Sequence, residues 1–193
     1  IVKASHIENA FSEIETFSAM RSTFGHELTT ILILDFGASK TKLAIVEYGI
    51  IKSFHITNRG SFDITNALSK SLGIPFSKAE EMKREFGLYG SSLDPSVAEI
   101  VKLSVQYILN ETSSVVLAYE KKYNKTISRV VLTGGGSLLK GFFEAARVHF
   151  SAEVLMGDPF SKVEAPAFLE PVLKETGAEF AVAIGLALRQ LDS

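Results

Sequence analysis

The stretch ILILDFGASKT, at residues 31–41, decides how this chain is expected to fold. Its apolar, β-branched beginning predicts a buried strand that ends in an aspartate, and the glycine two residues later permits a tight turn. The segments 41–47 and 50–56 repeat the strand pattern, and Tyr48-Gly49 between them is a short connection typical of a hairpin. We therefore expect an antiparallel meander of three strands in residues 31–56.

Helical patterns flank this meander on both sides. Residues 7–24 place apolar side chains mostly three, four or seven positions apart, which predicts an amphipathic helix that stops near Gly25. Caps, prolines and apolar periodicity define the elements after the meander in the same way. These predicted elements are a helix capped by Asp63, a helix from Ser77 to about Phe86, a helix from Asp94-Pro95 to about Tyr123, a strand at 127–132, a helix capped by Ser137, a strand at 153–156 and a helix at 178–191.

The order of these elements predicts an α/β layered fold. The strand at 127–132 follows a long helical connection, so we expect it to join the sheet in parallel through a right-handed crossover. Residues 57–126 interrupt the strands and are rich in predicted helix. They are therefore interpreted as an inserted subdomain.

Composition argues against several classes of function. The 193-residue chain has a formal net charge of −2, whereas a surface for nucleic acid or anionic membrane needs a basic patch. It contains no cysteine, which excludes disulfides, thiolate metal ligands and cysteine nucleophiles. The four histidines lack zinc-site spacing. No apolar run approaches the roughly 20 residues that span a bilayer, so a direct membrane span is not expected.

The turn after the first predicted strand has the composition of a phosphate-binding loop. Gly37 lets the backbone approach a ligand, and the turn amides with the Ser39 and Thr41 hydroxyls can donate to phosphate oxygens. Asp35, at the end of the strand, can hold Mg²⁺ or its coordinated waters. The same residues also fit an ordinary hairpin turn, and the motif taken alone leaves both interpretations open.

A second candidate site is TGGGS at residues 133–137, between a predicted buried strand and a predicted helix. Gly134, Gly135 and Gly136 leave no side chain where a planar or charged ligand would press against the backbone. The helix that follows would present free amides and the positive end of its dipole. The alternative is a flexible connector, although the carboxyl end of a strand is where α/β sheets bind ligands.

The third candidate is AEEMK at residues 79–83, in the helix after a proline. Glu80 and Lys83 are three positions apart, so both project from one face, where they can hydrogen-bond a ribose and lie along a purine. Ser77 and Glu80 also fit a capping box, in which the carboxylate bonds back to the Ser77 amide. From this segment alone the capping box is the favoured interpretation.

In this order and at these separations, the three motifs resemble the second half of an actin-like ATPase. Residues 35–41 resemble the second phosphate motif, and residues 133–137 resemble the adenosine motif. Residues 79–83 resemble the Ala-Glu-x-Ile-Lys segment by which MreB and FtsA hold the nucleoside. Residues 60–66 are similar to the Gly-Gly-Asn-x-Val-Thr-Asn stretch of FtsA.

The chain most resembles the PilM family of type IV pilus assembly, over nearly its whole length. The resemblance rests on DFGA at 35–38, TKL at 41–43, DPF at 158–160 and AIGLALR at 183–189. These motifs correspond to the PilM patterns of Asp-Ile-Gly-Ala, Ser-Thr-Lys-Leu, Asp-Pro-Phe and the closing Ala-x-Gly-Leu-Ala-Leu-Arg.

The resemblance implies a ribonuclease-H-like, actin-fold ATPase lobe with an inserted helix-rich subdomain. Residues 31–56 and 128–176 would form subdomain 2A, and residues 57–127 subdomain 2B. Residues 1–30 and 177–193 would provide helices that pack on an N-terminal lobe preceding this sequence. We expect these two helices to expose apolar side chains and to pair with each other or with another copy.

The implied function is an ATP-binding cytoplasmic scaffold of type IV pilus, or related secretion, assembly. ATP and Mg²⁺ would lie between two lobes. The implied partner is the cytoplasmic tail of a PilN-like membrane protein, which would place the protein at the inner membrane. Self-association is also expected, and nucleic acid is not an expected partner. The implied ligand residues are Asp35 (also for the metal), Gly37, Ala38, Ser39, Thr41, Glu80, Lys83, Gly134, Gly135 and Gly136.

Two alternatives stay open. One is an FtsA-like cell-division or polymer-forming protein. The other is a small-molecule kinase of the same superfamily, which would need a substrate-activating base, and no acidic residue outside the three motifs is a clear candidate. At most weak ATPase activity is expected, because phosphoryl transfer needs positioned groups from both lobes. Ala38 stands where FtsA has the second glycine of Asp-x-Gly-Gly, which narrows the room for a phosphate.

Overall fold

A mixed sheet lies at the centre of the fold. The computed structural model describes residues 12–25, 28–90 and 95–191, and within them five strands form one sheet in the order β3-β2-β1-β4-β5, counted along the chain. The meander is antiparallel and β4 joins β1 in parallel, as predicted, and β5 joins β4 in parallel. The strands are β1 (Thr30–Phe36), β2 (Thr41–Glu47), β3 (Ile50–Thr57), β4 (Arg129–Thr133) and β5 (Glu153–Met156).

Helices cover both faces of the sheet, and short 3-10 turns connect several of them. None of the helices in the described ranges is long and apolar enough to cross a membrane. The 3-10 turns span Gly87–Tyr89, Gly135–Leu138, Pro159–Lys162, Ala167–Leu169 and Gly177–Phe180. The α-helices are α1 (Glu15–Thr23), α2 (Ser61–Leu72), α3 (Phe76–Phe86), α4 (Ser96–Tyr123), α5 (Phe142–His149), α6 (Glu170–Thr176) and α7 (Ala181–Leu191).

The two faces of the sheet are covered to different extents. Leu32, Leu34 and Phe36 alternate onto the face that α2, α4 and α5 cover, and all three are fully buried. Ile31 and Ile33 point to the other face and meet a smaller apolar cluster that includes Met20 of α1 and Phe24 just after this helix. Each such buried side chain stabilises the fold by about 1.5–3 kcal/mol. The thicker face therefore anchors the sheet and holds the helices that border the candidate site.

The connection between β2 and β3 is the predicted tight hairpin. Tyr48 and Gly49 both have positive φ, 50° and 73°. Such a pair matches the right-handed twist of the flanking strands, which is why two-residue hairpins favour it. The hairpin fixes the register in which β2 pairs with β3.

The first and last helices pack against each other. The approach is close enough that a Cβ on Gly185 would lie 1.8 Å from the Ser18 carbonyl oxygen. Ser22 Oγ donates to the Ala181 carbonyl oxygen at 2.7 Å, and Arg21 Nη1 donates to the Gly185 carbonyl oxygen at 2.9 Å. The expectation that these helices pair is thus met by contact within one chain.

Several predicted helix starts are wrong in detail. Asp63 is not the N-cap of α2 but its third residue, where it accepts from the N–H of the N-cap Gly60 at 2.8 Å. The helix predicted at 178–191 begins as an α-helix only at Ala181, after a 3-10 turn. The α-helix predicted at 7–24 is seen at 15–23, and its predicted first turn lies outside the described residues.

Two predicted caps are also wrong, because Glu80 and Ser137 bond to other partners. No side chain caps α3, whose N-cap is Pro75, so the Ser77–Glu80 capping box does not form. Ser137 lies inside a 3-10 turn and donates its hydroxyl to the Gly134 carbonyl oxygen at 2.6 Å. The α-helix beyond it starts only at Phe142. The predicted Asp94 cap lies outside the described residues.

Candidate functional site

A cleft of about 600 Å³ lies beside the carboxyl ends of β1 and β4, and all three candidate motifs reach it. Ala38 comes from the turn after β1, Glu80 and Lys83 come from α3, and Gly135 and Gly136 come from the turn after β4. These segments are far apart in sequence, so only the fold brings them together. The other lining residues are Ser61, Arg84, Leu138, Leu139, Lys140 and Glu179.

The turn after β1 is fixed by hydrogen bonds of its carbonyl groups. The Gly37 and Ala38 carbonyl oxygens accept from the N–H groups of Ser61 and Phe62, at 3.0 and 2.8 Å. Gly60 makes this approach possible, because a Cβ there would lie 2.3 Å from the Ala38 carbonyl oxygen. The turn is thus held rigidly against the start of α2, and both Ala38 and Ser61 line the cleft.

The hydroxyl residues of this turn have different environments. Ser39 is exposed, as is Ala38 beside it. Thr41 is buried, and its hydroxyl donates to the Arg59 carbonyl oxygen at 2.8 Å. The Thr41 hydroxyl therefore donates its one hydrogen bond within the fold, and Thr41 does not line the cleft, whereas Ala38 does.

Asp35 lies at the end of β1 with a side chain that is only 16% exposed. Burial raises the pKa of its carboxyl to about 6. Lys42 Nζ is 3.4 Å from Asp35 Oδ2 and also pairs with Glu15. The described residues hold no cluster of three or more potential metal ligands. Asp35 therefore fits a Mg²⁺ ion only as a single protein carboxylate, which is a usual arrangement when phosphates and waters supply the other ligands.

The three glycines after β4 have different roles. Gly134 has φ of 83°, and a Cβ on it would lie 2.5 Å from Asp35 Oδ1. A Cβ on Gly136 would lie 2.6 Å from the Phe36 ring. The fold therefore requires both to be glycine. Gly135 is exposed, and the nearest atom to its Cβ position is Glu179 Oε2 at 3.6 Å, so the fold leaves this position open.

We call Glu80, Lys83 and Arg84 the helix wall of the cleft. Lys83 is buried, and its Nζ contacts Glu80 Oε2 at 2.8 Å and Thr65 Oγ1 at 3.0 Å. Glu80 also accepts from the Thr65 hydroxyl at 2.6 Å and from Arg84 Nε at 2.8 Å. Burial alone would raise the pKa of Glu80, but the hydrogen bonds from Arg84, Lys83 and Thr65 outweigh it and hold the pKa at about 2. The helix wall is thus an internally paired network.

We call Gly135, Gly136 and Glu179 the glycine wall of the cleft. Glu179 belongs to the 3-10 turn before α7 and faces Gly135. Beside this wall, Lys140 Nζ donates to the Glu85 carbonyl oxygen at 2.8 Å, which ties the loop to α3. Sequence reasoning missed Ser61, Arg84, Lys140 and Glu179. The spacing of Arg84 four residues after Glu80 could have indicated it, because such residues are neighbours on a helix surface. Glu179 belongs to no motif that could have indicated it.

The sheet, its helical insertion and the cleft at the strand ends define an actin-like fold. The structure is similar to that titled "PilM-PilN type IV pilus biogenesis complex", with a TM-score of 0.78, 23% identity and coverage of 92% of this chain and 52% of that one. MreB5 of Spiroplasma citri, in a structure titled as bound to AMPPNP, has a TM-score of 0.62 and 14% identity over 90% of this chain and 56% of that one. The predicted fold class is thereby confirmed.

The family model described as "Cell division protein FtsA" matches residues 32–185. The chain therefore belongs to the FtsA family, within the superfamily that the motifs indicated. FtsA of Helicobacter pylori strain 26695 is 29% identical over 205 residues, covering 91% of this chain and 40% of the relative. FtsA of Neisseria meningitidis strain MC58 is 27% identical over 150 residues, covering 67% of this chain and 36% of the relative. The chain thus spans about 40% or less of these relatives' lengths.

Proposed function

We propose that the cleft binds ATP with Mg²⁺ and that this chain is one lobe of an actin-like scaffold regulated by the nucleotide. The observation that carries the proposal is the meeting of three separate motifs in a single cleft of about 600 Å³. Membership of the FtsA family supports it. Further support comes from solved structures of the same fold, which include an archaeal actin homologue titled as a complex with ADP.

The cleft offers distinct places for the parts of a nucleotide. The exposed turn at Ala38 and Ser39, held by its carbonyl groups, is the proposed phosphate end. Mg²⁺ would neutralise phosphate charge there, and Asp35 would hold the ion or its waters. Gly135, with open space above it, is the proposed contact for the nucleoside.

Only part of the helix wall is available to bond the ribose, because most of its polar atoms already have partners. Oε2 of Glu80 already accepts from Thr65 and Lys83, whereas Arg84 is the only donor to Oε1 among the residues that the structure describes. A carboxylate oxygen has two acceptor sites, so Oε1 keeps one for a ribose hydroxyl. Lys83 is held by Glu80, Thr65 and the Ser61 carbonyl oxygen, so its main role is to fix this wall. Gly37, Thr41, Gly134 and Gly136 would support the site through the backbone.

We assign the subdomains of the proposed scaffold by the bounds that the sequence resemblance implies. Residues 31–56 and 128–176 would form subdomain 2A, residues 57–127 subdomain 2B, and residues 1–30 and 177–193 would reach the opposite lobe. With one lobe supplying half of the phosphate contacts, hydrolysis by this chain should be weak at most. The paired α1 and α7 would then mark the side on which the other lobe joins.

Two cellular roles compete for this scaffold. The structural likeness to the complex titled PilM-PilN supports docking of a PilN-like cytoplasmic tail at the inner membrane. The family match supports a role in cell division. Deletion of the gene separates them: loss of surface pili with normal division supports the first role, and filamentous, undivided cells support the second.

Substitution at Gly135 tests nucleotide binding in the full gene product. Gly135→Val places a branched side chain at an open position, so folding should be unaffected while Mg-ATP affinity, measured by calorimetry, falls at least about tenfold, or ~1.4 kcal/mol. Gly25→Val is the matched control, because no atom of the described residues lies within 4 Å of its Cβ position and Gly25 does not line this cleft. Unaltered ATP affinity in Gly135→Val would show that the turn is only a connector.

A further inference from the structure

Glu179 brings a carboxylate into the cleft from the C-terminal part of the chain. It stands in the 3-10 turn Gly177–Phe180, and its Oε2 lies 3.6 Å from where a Cβ on Gly135 would be. No side chain in the described ranges donates a hydrogen bond to it. Its acceptor sites are therefore available to whatever lies over Gly135.

Contacts on both sides of Glu179 anchor the backbone of its turn, so the exposed side chain always starts from the same place beside Gly135. The Gly134 N–H donates to the Ala178 carbonyl oxygen at 2.8 Å, and Ala178 is buried. The Phe180 ring packs against Phe160 with centroids 5.9 Å apart. An anchored backbone limits the region that the Glu179 carboxylate can reach, so it can meet only the part of a ligand that lies over Gly135.

Charge decides which part of a nucleotide can lie beside Glu179. An ionised carboxylate accepts hydrogen bonds but cannot donate them, and it repels phosphate oxygens. Although Glu179 also interacts electrostatically with the cation Arg84, it disfavours phosphates beside it. The proposed function places the phosphates at the turn of Ala38 and Ser39 instead. Gly135 has no side chain and an open face, so it suits a planar base. On the proposed function, on which this inference rests, the base lies against Gly135 with its edge toward Glu179.

We infer that Glu179 contacts the hydrogen-bonding edge of the purine and admits guanine nucleotides to the cleft. Guanine presents two adjacent donors, N1–H and the N2 amino group, which match the two oxygens of a carboxylate. Adenine presents the N6 amino donor beside the N1 acceptor, so one carboxylate oxygen would face a lone pair. Glutamine, with one acceptor and one donor, has the pattern that complements adenine.

Calorimetry on the full gene product with Mg-GTP and Mg-ATP tests this inference. The wild-type protein should bind the two nucleotides with dissociation constants within about tenfold of each other. Glu179→Gln should weaken GTP binding about tenfold or more and leave ATP binding equal or tighter. Glu175→Gln, which removes the same charge from α6 outside the cleft lining, should change neither constant.

The possible failures are distinguishable. If the wild-type protein binds ATP but not GTP, or if Glu179→Gln changes both affinities equally, Glu179 does not contact the base edge and the inference is wrong. If the wild-type protein binds neither nucleotide, the proposed function itself fails and this inference with it. Loss of GTP binding alone in Glu179→Gln, with the Glu175→Gln control unchanged, supports both.

Discussion

The helix wall and the glycine wall line the same cleft and differ in how their polar groups are satisfied. In the helix wall, Glu80 and Lys83 bond to each other and to Thr65, so each side chain also supports the fold. In the glycine wall, Gly135 faces open space and Glu179 has no donor among the described side chains. Substitutions in the helix wall should therefore change stability and binding together, whereas the exposed part of the glycine wall can be altered for binding alone.

The largest expected difference in stability is between alanine substitutions at two neighbouring glycines of the turn after β4. Gly134→Ala puts a side chain at φ of 83° and 2.5 Å from Asp35 Oδ1, so it should cost about 3–5 kcal/mol of unfolding free energy. Gly135→Ala meets only an ordinary contact at 3.6 Å and should stay within about 0.5 kcal/mol of wild type. Urea denaturation of both variants measures the difference. Equal stabilities would mean that the turn relaxes freely.

A smaller effect is expected from Glu80→Gln in the helix wall. The variant removes the negative charge beside buried Lys83, so it should lose about 2 kcal/mol at pH 7. Because the folded pKa of Glu80 is lowered to about 2, this stabilisation is present above the unfolded value of 4.5 and is lost as pH falls toward 2.

The control for this prediction is Glu81→Gln. Glu81 is exposed, and its one ion pair within the described part of the chain is with Lys78 at 3.1 Å, so its loss should cost less than about 0.5 kcal/mol. Denaturation curves at pH 7 and pH 3 give the comparison. A deficit in Glu80→Gln that stays constant over that interval would contradict the assigned network.

The smallest expected change in stability is a gain rather than a loss, and it is expected for a substitution of Asp35. Burial raises the folded pKa of Asp35 from 3.8 to about 6, so its favourable neutral form is present below pH 3.8 and is lost as pH rises through 6. Asp35→Asn should therefore be more stable than wild type by about 1–2 kcal/mol at pH 7.5 and nearly equal to it at pH 4. Thermal unfolding at both pH values tests this.

The same variant connects stability to function. If Asp35 serves the metal and phosphates, Asp35→Asn should bind Mg-ATP at least about tenfold more weakly, a loss of ~1.4 kcal/mol, while melting at a higher temperature. Calorimetry at fixed magnesium measures the affinity. A stabilised variant with unaltered ATP affinity would leave the buried carboxylate without the proposed role.

Local sequence signals were sufficient for the strands and their hairpin. The β-branched runs in β1 and β2 and the Tyr48-Gly49 turn act over neighbouring residues, so periodicity and turn chemistry predict them. Helix caps were predicted less well. The N-cap of α2 is Gly60, because the backbone approaches Ala38 too closely there for a side chain. Glu80 does not form the predicted capping box, because its carboxylate bonds to side chains of α2 and α3 instead. Such competition depends on segments that meet only after folding.

The sequence by itself was enough to predict which segments form the strands and that β4 joins the sheet in parallel. It was also enough to identify the three motifs that reach the cleft. Only the tertiary structure distinguished Gly135 from Gly134 and Gly136, since a glycine's role depends on what a Cβ would meet. Only the tertiary structure brought Glu179 into the site, through the hydrogen bond from Gly134 to Ala178. The physical reason is that strand and turn preferences are local, whereas close approach and side-chain partnership are properties of packed surfaces.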